Sequence, residues 1–362
     1  MSLRSFNPAL QTHFRKTARP QFSYGFRNVI NADACQSILD KLQLKDKYPN
    51  SEGRVDVIDV FSGHGLLSTM INYELKPRNH LLIEHHREHV KTWEDRIKYL
   101  KSHTQNSENF MLAPQDGHSW STYDDLFLEK KIFEPEFQPR SKVHDQLLVV
   151  ANLTSAKMGE SLFAQWLMCI AHKNWLQKYG RVRMVVLAPE TVVQKFFAGP
   201  YFIKRNRTSA KRGMFSDSKL IAIAQPDEHG PHSAGDGYDP RLVIKDQPVL
   251  LPSSSITPVG NELAVVEVIP KELDEVDVNE IDHLTQSMSF RMTNNIANAF
   301  KILAPGAEDD LVPKIPKETL HKKFKQLTDE EIWQLYNIYH KWEFKPRYED
   351  TISVFLDDSR HF

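Results

Sequence analysis

Apolar residues fall in short dense runs through the first two thirds of the chain. Between these runs they recur at three- and four-residue spacing instead. The runs are Val55–Phe61, His80–Glu84, Phe110–Ala113, Leu147–Asn152 and Val182–Leu187. Such runs read as strands buried on both faces, and their alternation with helical spacing predicts a parallel, doubly wound sheet. Leu220–Ala224 and Leu263–Ile269 would complete seven strands. No clear helical pattern separates those two, so they are expected as an antiparallel hairpin at the sheet edge. The clearest helical stripe is Leu162, Phe163, Trp166, Leu167, Ile170 and Trp175, with Gly159 before it and Gly180 closing it.

Residues 226–260 are rich in Pro, Gly, Ser and Asp and read as a long loop. Residues 272–282 carry six acids and no base, the composition of a solvated linker. From Asp282 to Trp342 the spacing is helical. Thr328 with Glu331 three residues on is a capping box. The helix it opens places Ile332, Leu335, Tyr336, Tyr339 and Trp342 on one side, and Pro346 ends it. The expected organisation is a basic arm over 1–21, an α/β domain over 22–270, a smaller helical domain over 271–345 and a flexible tail over 346–362.

At 362 residues, 40% hydrophobic and 26% charged, the chain has the composition of a globular protein. No apolar run reaches the ~18 residues of a membrane span. Cys35 and Cys169 form neither a zinc spacing nor a disulfide framework. The net charge of −1 means that any nucleic-acid contact must come from local patches. Residues 1–32 carry Arg4, Arg15, Lys16, Arg19 and Arg27 with no acid, which fits a mitochondrial import signal; the alternative is a basic disordered arm.

Candidate chemistry sits at the carboxyl ends of the strands. Asp59-Val-Phe-Ser-Gly63-His-Gly65 follows the first strand, a turn in which glycines allow close approach of a ligand to the backbone. Glu84 lies 19 residues beyond Gly65, at a spacing suited to ribose hydroxyls. Asp116 follows the third strand and Asn152 ends the fourth. One acid or amide per strand end is the pattern of a nucleoside site.

These residues resemble, over about 22–270, the S-adenosylmethionine-dependent ribosomal RNA adenine dimethyltransferases. Tyr24-Gly25-Phe26-Arg27-Asn28-Val29 resembles their N-terminal Phe-Gly-Gln-Asn-Phe-Leu, and Asn152-Leu153-Thr154-Ser155 their Asn-Leu-Pro-Tyr. Val193-Gln-Lys-Phe-Phe-Ala-Gly-Pro200 resembles a further family segment. The resemblance implies a Rossmann-like class I methyltransferase fold with a cofactor site at Val29, Asp59, Gly63, Gly65, Glu84, Asp116 and Asn152. The chain departs from the pattern where chemistry is done. Phe61 replaces the first glycine of the turn, Phe26 and Arg27 replace Gln-Asn, and Thr154 and Ser155 replace Pro-Tyr. Loss of the aromatic removes base stacking worth ~1–3 kcal/mol. The expectation is a vestigial site with no catalytic residue, no metal and no required cofactor, with residual S-adenosylmethionine binding left open.

One branch of this family, the mitochondrial transcription initiation factors, kept the architecture and left the chemistry. The chain resembles it at Phe22-Ser-Tyr-Gly-Phe-Arg, Asp116-Gly-His-Ser-Trp-Ser-Thr-Tyr123, Val150-Ala-Asn-Leu-Thr154, Gln165-Trp-Leu-Met-Cys-Ile170, Lys173-Asn-Trp-Leu176, Asp217-Ser-Lys-Leu-Ile-Ala-Ile223 and Trp342-Glu-Phe-Lys-Pro346. This implies a matrix protein, monomeric alone. Its partners would be the single-subunit mitochondrial RNA polymerase and promoter DNA, which it helps recognise and hold open. An active adenine dimethyltransferase is the alternative. Between Thr191 and Ser216 stand Lys195, Lys204, Arg205, Arg207, Lys211 and Arg212 with no acid, interleaved with Phe196, Phe197, Tyr201, Phe202 and Phe215. Bases track phosphates and aromatics stack on unpaired bases, so this segment, with His118 and Trp120 at the mouth of the old pocket, is the expected DNA contact. A solvated basic loop with Phe196 and Phe197 in the core is the competing reading for the segment, and a buried core residue is the competing reading for Trp120.

Overall fold

The computed structural model describes residues 3–16, 24–104, 109–155, 158–225, 235–258, 263–291 and 293–347. Residues 1–2 and 17–21 of the expected arm and all but the first two residues of the expected tail lie outside these. The chain divides into two compact units: 1–193 with 216–272, and 194–215 with 273–362.

In chain order the first elements are α1 (Gln11–Lys16), β1 (Asn28–Val29), α2 (Ala32–Leu42), α3 (Leu44–Lys47), β2 (Asp56–Val60), α4 (Leu66–Leu75), β3 (Asn79–Ile83) and α5 (Arg87–His103). There follow β4 (Phe110–Ala113), α6 (Trp120–Asp124), β5 (Val143–Asn152), α7 (Gly159–His172), β6 (Arg181–Pro189), α8 (Glu190–Phe196) and α9 (Arg207–Phe215). The rest are β7 (Ser216–Ala224), α10 (Pro240–Asp246), β8 (Val249–Leu251), β9 (Ile256–Thr257), β10 (Leu263–Pro270), α11 (Val278–Phe290), α12 (Ile296–Lys301), α13 (Ala307–Leu311), α14 (Lys317–His321) and α15 (Asp329–His340).

The first unit is a Rossmann-like α/β layer structure. Its eight-stranded sheet runs β4-β3-β2-β5-β6-β10-β7-β8. All seven strands expected from the apolar runs are present. β2 is buried at every position and pairs in parallel with β3 on one side and β5 on the other. β7 and β10 are antiparallel as expected, but they are not an edge hairpin. β10 is wedged between β6 and β7, and β8 holds the edge in parallel with β7. The loop expected over 226–260 supplies β8, and it supplies β9, which pairs with β1.

The helical stripe at Leu162 is real, and its end differs. α7 stops at His172 with Lys173 in the left-handed conformation, and Trp175 begins a separate 3₁₀ turn that Gly180 closes. Residues 4–10 pack onto the α/β unit. Leu10 is buried with Trp93, Leu100 and Phe110, the Ser5 amide donates to Gln36 Oε1 at 2.9 Å, and Arg4 pairs with Asp40.

The second unit is helical. The expected capping box is formed: Glu331 N donates to Thr328 Oγ1 at 3.2 Å, and Thr328 N donates to Glu331 Oε2 at 3.0 Å. α15 buries Ile332, Leu335, Tyr336 and Tyr339, with Trp342 buried just beyond it. Residues 194–215, expected within the α/β domain, group with these helices instead.

Candidate functional site

β2, β3 and β5 end side by side, so Asp59, Glu84 and Asn152 meet at one edge of the sheet. Each carboxylate or amide there already has protein partners. Asp59 Oδ2 faces His80 Nε2 at 3.3 Å within the buried sheet. Glu84 is fully buried. Its Oε2 accepts from the Gly63 amide at 3.3 Å and faces His89 Nδ1 at 3.2 Å, and its Oε1 accepts from the His86 amide at 3.1 Å. Burial alone would raise the Glu84 pKa; the His89 hydrogen bond and charge, with the His86 amide, outweigh it and hold the carboxyl below its usual value. Asp116, also opposed by burial, is held low by the amide and imidazole of His118.

Asn152 is the most constrained. Its Nδ2 donates to the Arg27 carbonyl at 2.8 Å and approaches Asn28 Oδ1 at 3.5 Å. Its Oδ1 accepts from Thr154 N at 3.2 Å and from Thr154 Oγ1 at 2.6 Å. Thr154 Oγ1 also accepts from Arg27 N at 2.6 Å. A proline at 154 could make none of these bonds to its N–H or hydroxyl. Thr154 thus occupies the Asn152 carboxamide oxygen while residues 27–28 take its Nδ2, and no donor or acceptor of the carboxamide remains for an adenine amine.

The glycine turn is filled from two sides. The Asn28 carboxamide oxygen accepts from the His64 amide at 3.1 Å, and a Cβ at Gly63 would stand 2.3 Å from that oxygen. Phe61 is buried with φ +57°, a left-handed conformation rare for a bulky residue. Its ring packs against Phe26 (5.5 Å), His118 (4.6 Å) and His85 (5.7 Å). What remains beside Asn28, Val29, Asp59, Gly65 and Asn152 is a cavity of about 20 Å³. That holds about one water, whereas small-molecule sites run to ~300–1,000 Å³. S-adenosylmethionine does not fit among these residues. A larger concavity of about 520 Å³ opens at the opposite ends of the strands, where Lys45, Arg54 and Lys76 mix with Glu52 and Glu74. It gathers none of the residues singled out by sequence.

Glu84, His85 and His86 bring one donor atom each within 4.8 Å. Both Glu84 oxygens already accept hydrogen bonds, which leaves two imidazoles, short of the three or four protein ligands usual for zinc.

The expected DNA-contact residues separate into two groups. Trp120, at 43% exposure, opens α6 and meets Trp175 edge-on at 6.2 Å, beside His118. In the basic segment, two residues are not available to phosphates. Arg205 is buried, with Nη2 2.8 Å from Asp329 Oδ1 and Nη1 3.3 Å from the Ala198 carbonyl. Lys211 is buried against Asp282 at 2.5 Å. Both act as internal ion pairs of the second unit, a correction to the phosphate-tracking expectation. Arg207 bonds Gln286 at 3.2 Å, Lys204 bonds Gln194, and Arg212 donates to the Phe196 carbonyl over the Phe197 ring; these side chains, like that of Lys195, are half-buried. Phe196, Phe197 and Phe215 are core. Sequence reasoning passed over Ile203. It is 77% exposed beside Tyr201 at 60%, on a turn pinned by the Tyr201 amide to the Lys325 carbonyl and by Lys325 Nζ to the Ile203 carbonyl. Only the aromatic–basic interleaving hinted at it.

Residues 17–341 match the family model described as ribosomal RNA adenine dimethylase. Mitochondrial transcription factor 1 of Lachancea kluyveri is 31% identical over 339 residues, covering 92% of this chain and 95% of that protein. The Saccharomyces cerevisiae protein of the same name is 31% identical, covering 93% of this chain and 94% of the relative. Among solved structures, a dimethyladenosine transferase from Plasmodium falciparum aligns with a TM-score of 0.55 at 13% identity, over 86% of this chain and 96% of that one. The 23S rRNA methyltransferase ErmE aligns at 0.52 and 9% identity, over 83% and 97%. At those identities the two structures bear on the fold alone. The chain therefore belongs to the ribosomal RNA adenine dimethylase family, in the branch that holds the yeast mitochondrial transcription factors 1.

Proposed function

We propose that this protein is a mitochondrial transcription initiation factor. It partners the single-subunit mitochondrial RNA polymerase in the matrix, contributes promoter recognition and stabilises the melted promoter, and it does not transfer methyl groups. The full-length similarity to transcription factors supports the first part. The filled strand-end site carries the second: about 20 Å³ of space, a carboxamide in the glycine turn, and an Asn152 with no free valence. Amino-group methylation needs the acceptor and the methyl donor aligned, and a misplacement of about 1 Å costs ~100-fold in rate. Here the donor has no room.

Trp120 and His118 supply an exposed ring and an imidazole at the mouth of this site, fitted to hold an unpaired promoter base. Tyr201 and Ile203 offer a second exposed wedge on the other unit. No cofactor is required for either role. The test is methyl transfer from labelled S-adenosylmethionine to a small-subunit ribosomal RNA hairpin. Incorporation stays at background in this account. Incorporation above background that Asn152→Ala abolishes contradicts it.

A further inference from the structure

Arg96 has no role in any of the above. It lies on α5, is completely buried, and none of Nε, Nη1 or Nη2 has a hydrogen-bond partner among the described residues. Among the described residues no carboxylate offsets its charge, and burial pushes its pKa down to about 9. An uncompensated buried guanidinium is costly, and native folds rarely leave one without a partner.

Its surroundings are those of an anion receptor. A Cβ at Gly65 would stand 2.6 Å from Arg96 Nη1, and 2.3 Å and 2.9 Å from Trp93 Cζ2 and Cε2. Gly65 is the N-cap of the ten-residue α4, and no side chain caps that helix end. Trp93 Nε1, bonded to Cε2, is also buried without a partner. The guanidinium carbon stands 4.5 Å from the centre of the Trp93 ring and 4.6 Å from that of Phe14. The two nearest imidazoles are held neutral: burial, reinforced by Arg96, pushes His64 down to about 3 and His13 to about 4.

We propose that Arg96, Trp93 Nε1 and the uncapped N-terminus of α4 form a binding site for a phosphate group, free or carried by a nucleic acid. The guanidinium fork with an indole N–H and first-turn amides offers more donors than two carboxylate oxygens can use, and it matches the four oxygens of a phosphate. Phe14, a half-buried ring on the six-residue α1, covers the guanidinium at 4.6 Å. The site adjoins the filled glycine turn, because Gly65 and the first turn of α4 also line the small cavity beside Asn152.

The experiment is thermal unfolding of the full chain with inorganic phosphate, and in parallel with a single-stranded oligonucleotide, each against sodium chloride at matched ionic strength. Phosphate is expected to raise Tm saturably. A ³¹P resonance broadened by wild-type protein but not by Arg96→Met locates the effect. Arg96→Met should fold at least as stably without phosphate, since an apolar chain of similar length replaces an unpaired charge. It should lose the saturable shift. Phe14→Ala should reach half-saturation at lower phosphate. An oligonucleotide effect that also depends on Arg96 assigns the site to nucleic-acid phosphates, and an effect of inorganic phosphate alone assigns it to a free anion. Absence of a phosphate effect beyond chloride, or an equal effect in Arg96→Met, overturns the proposal.

Discussion

Arg205→Met separates a structural cation from a DNA-contacting one. The guanidinium is fully buried, and Asp329, its partner at 2.8 Å, keeps 24% of its side-chain surface in solvent. Removing one member of a buried pair costs ~3–5 kcal/mol. The residual solvation of Asp329, and its place at the start of α15, put the expected loss near ~3 kcal/mol. For a unit of this size that lowers Tm by roughly 10 °C. An exposed phosphate-contacting arginine would behave oppositely. Its loss would cost under ~1 kcal/mol of stability and reduce the slope of log affinity against log salt by about one. Gly213→Ala provides a charge-neutral control, because its Cβ would stand 2.1 Å from Asp329 Oδ2 and displace the same carboxylate. Urea unfolding and a salt titration of promoter binding, at a temperature where each variant is folded, read both quantities. If Arg205→Met unfolds at the wild-type midpoint while its salt slope falls by one, the residue is a phosphate contact and the ion-pair reading is refuted.

Thr154→Pro, which restores the family residue, should destabilise rather than reactivate. It removes the Asn152 and Arg27 hydrogen bonds and strands buried polar groups at ~1–3 kcal/mol each, measured as a lower urea midpoint with methyl transfer still at background. Trp120→Ala should cost little stability, under ~2 kcal/mol for one edge-on contact, yet impair transcription from duplex promoters; a pre-melted bubble should largely rescue it. Equal impairment on both templates would remove base capture as its role. Stability should decline as pH falls below about 6.5. The folded chain keeps His64 neutral to about 3 and His13 to about 4, while the unfolded chain takes up those protons near pH 6.5. His64→Gln should flatten that decline, and an unchanged slope would show that His64 is not its source.

The sheet was legible because its strands are continuous apolar runs, and the start of α15 was legible because a capping box is a local signature. What the sequence hid is non-local. β8 is three residues long and exists only because β7 offers it an edge. The basic stretch 194–215 reads as a phosphate track because its acids, Asp282 and Asp329, lie 71 and 124 residues further along the chain. The strand-end residues were found as a set, but their mutual satisfaction was not visible. Asn152 and Thr154 looked like a weakened catalytic loop; the structure adds that Thr154 and the Arg27–Asn28 segment take up the Asn152 carboxamide. Arg96 shows the limit most clearly, since a base on a helical stretch carries no sequence mark of complete burial.

Runoff transcription from a duplex mitochondrial promoter, with the cognate single-subunit RNA polymerase present and this protein added or withheld, decides whether the protein is an initiation factor. A promoter-initiated transcript is expected only when the protein is added, with no dependence on S-adenosylmethionine. The same yield of correctly initiated transcript without the protein would contradict it.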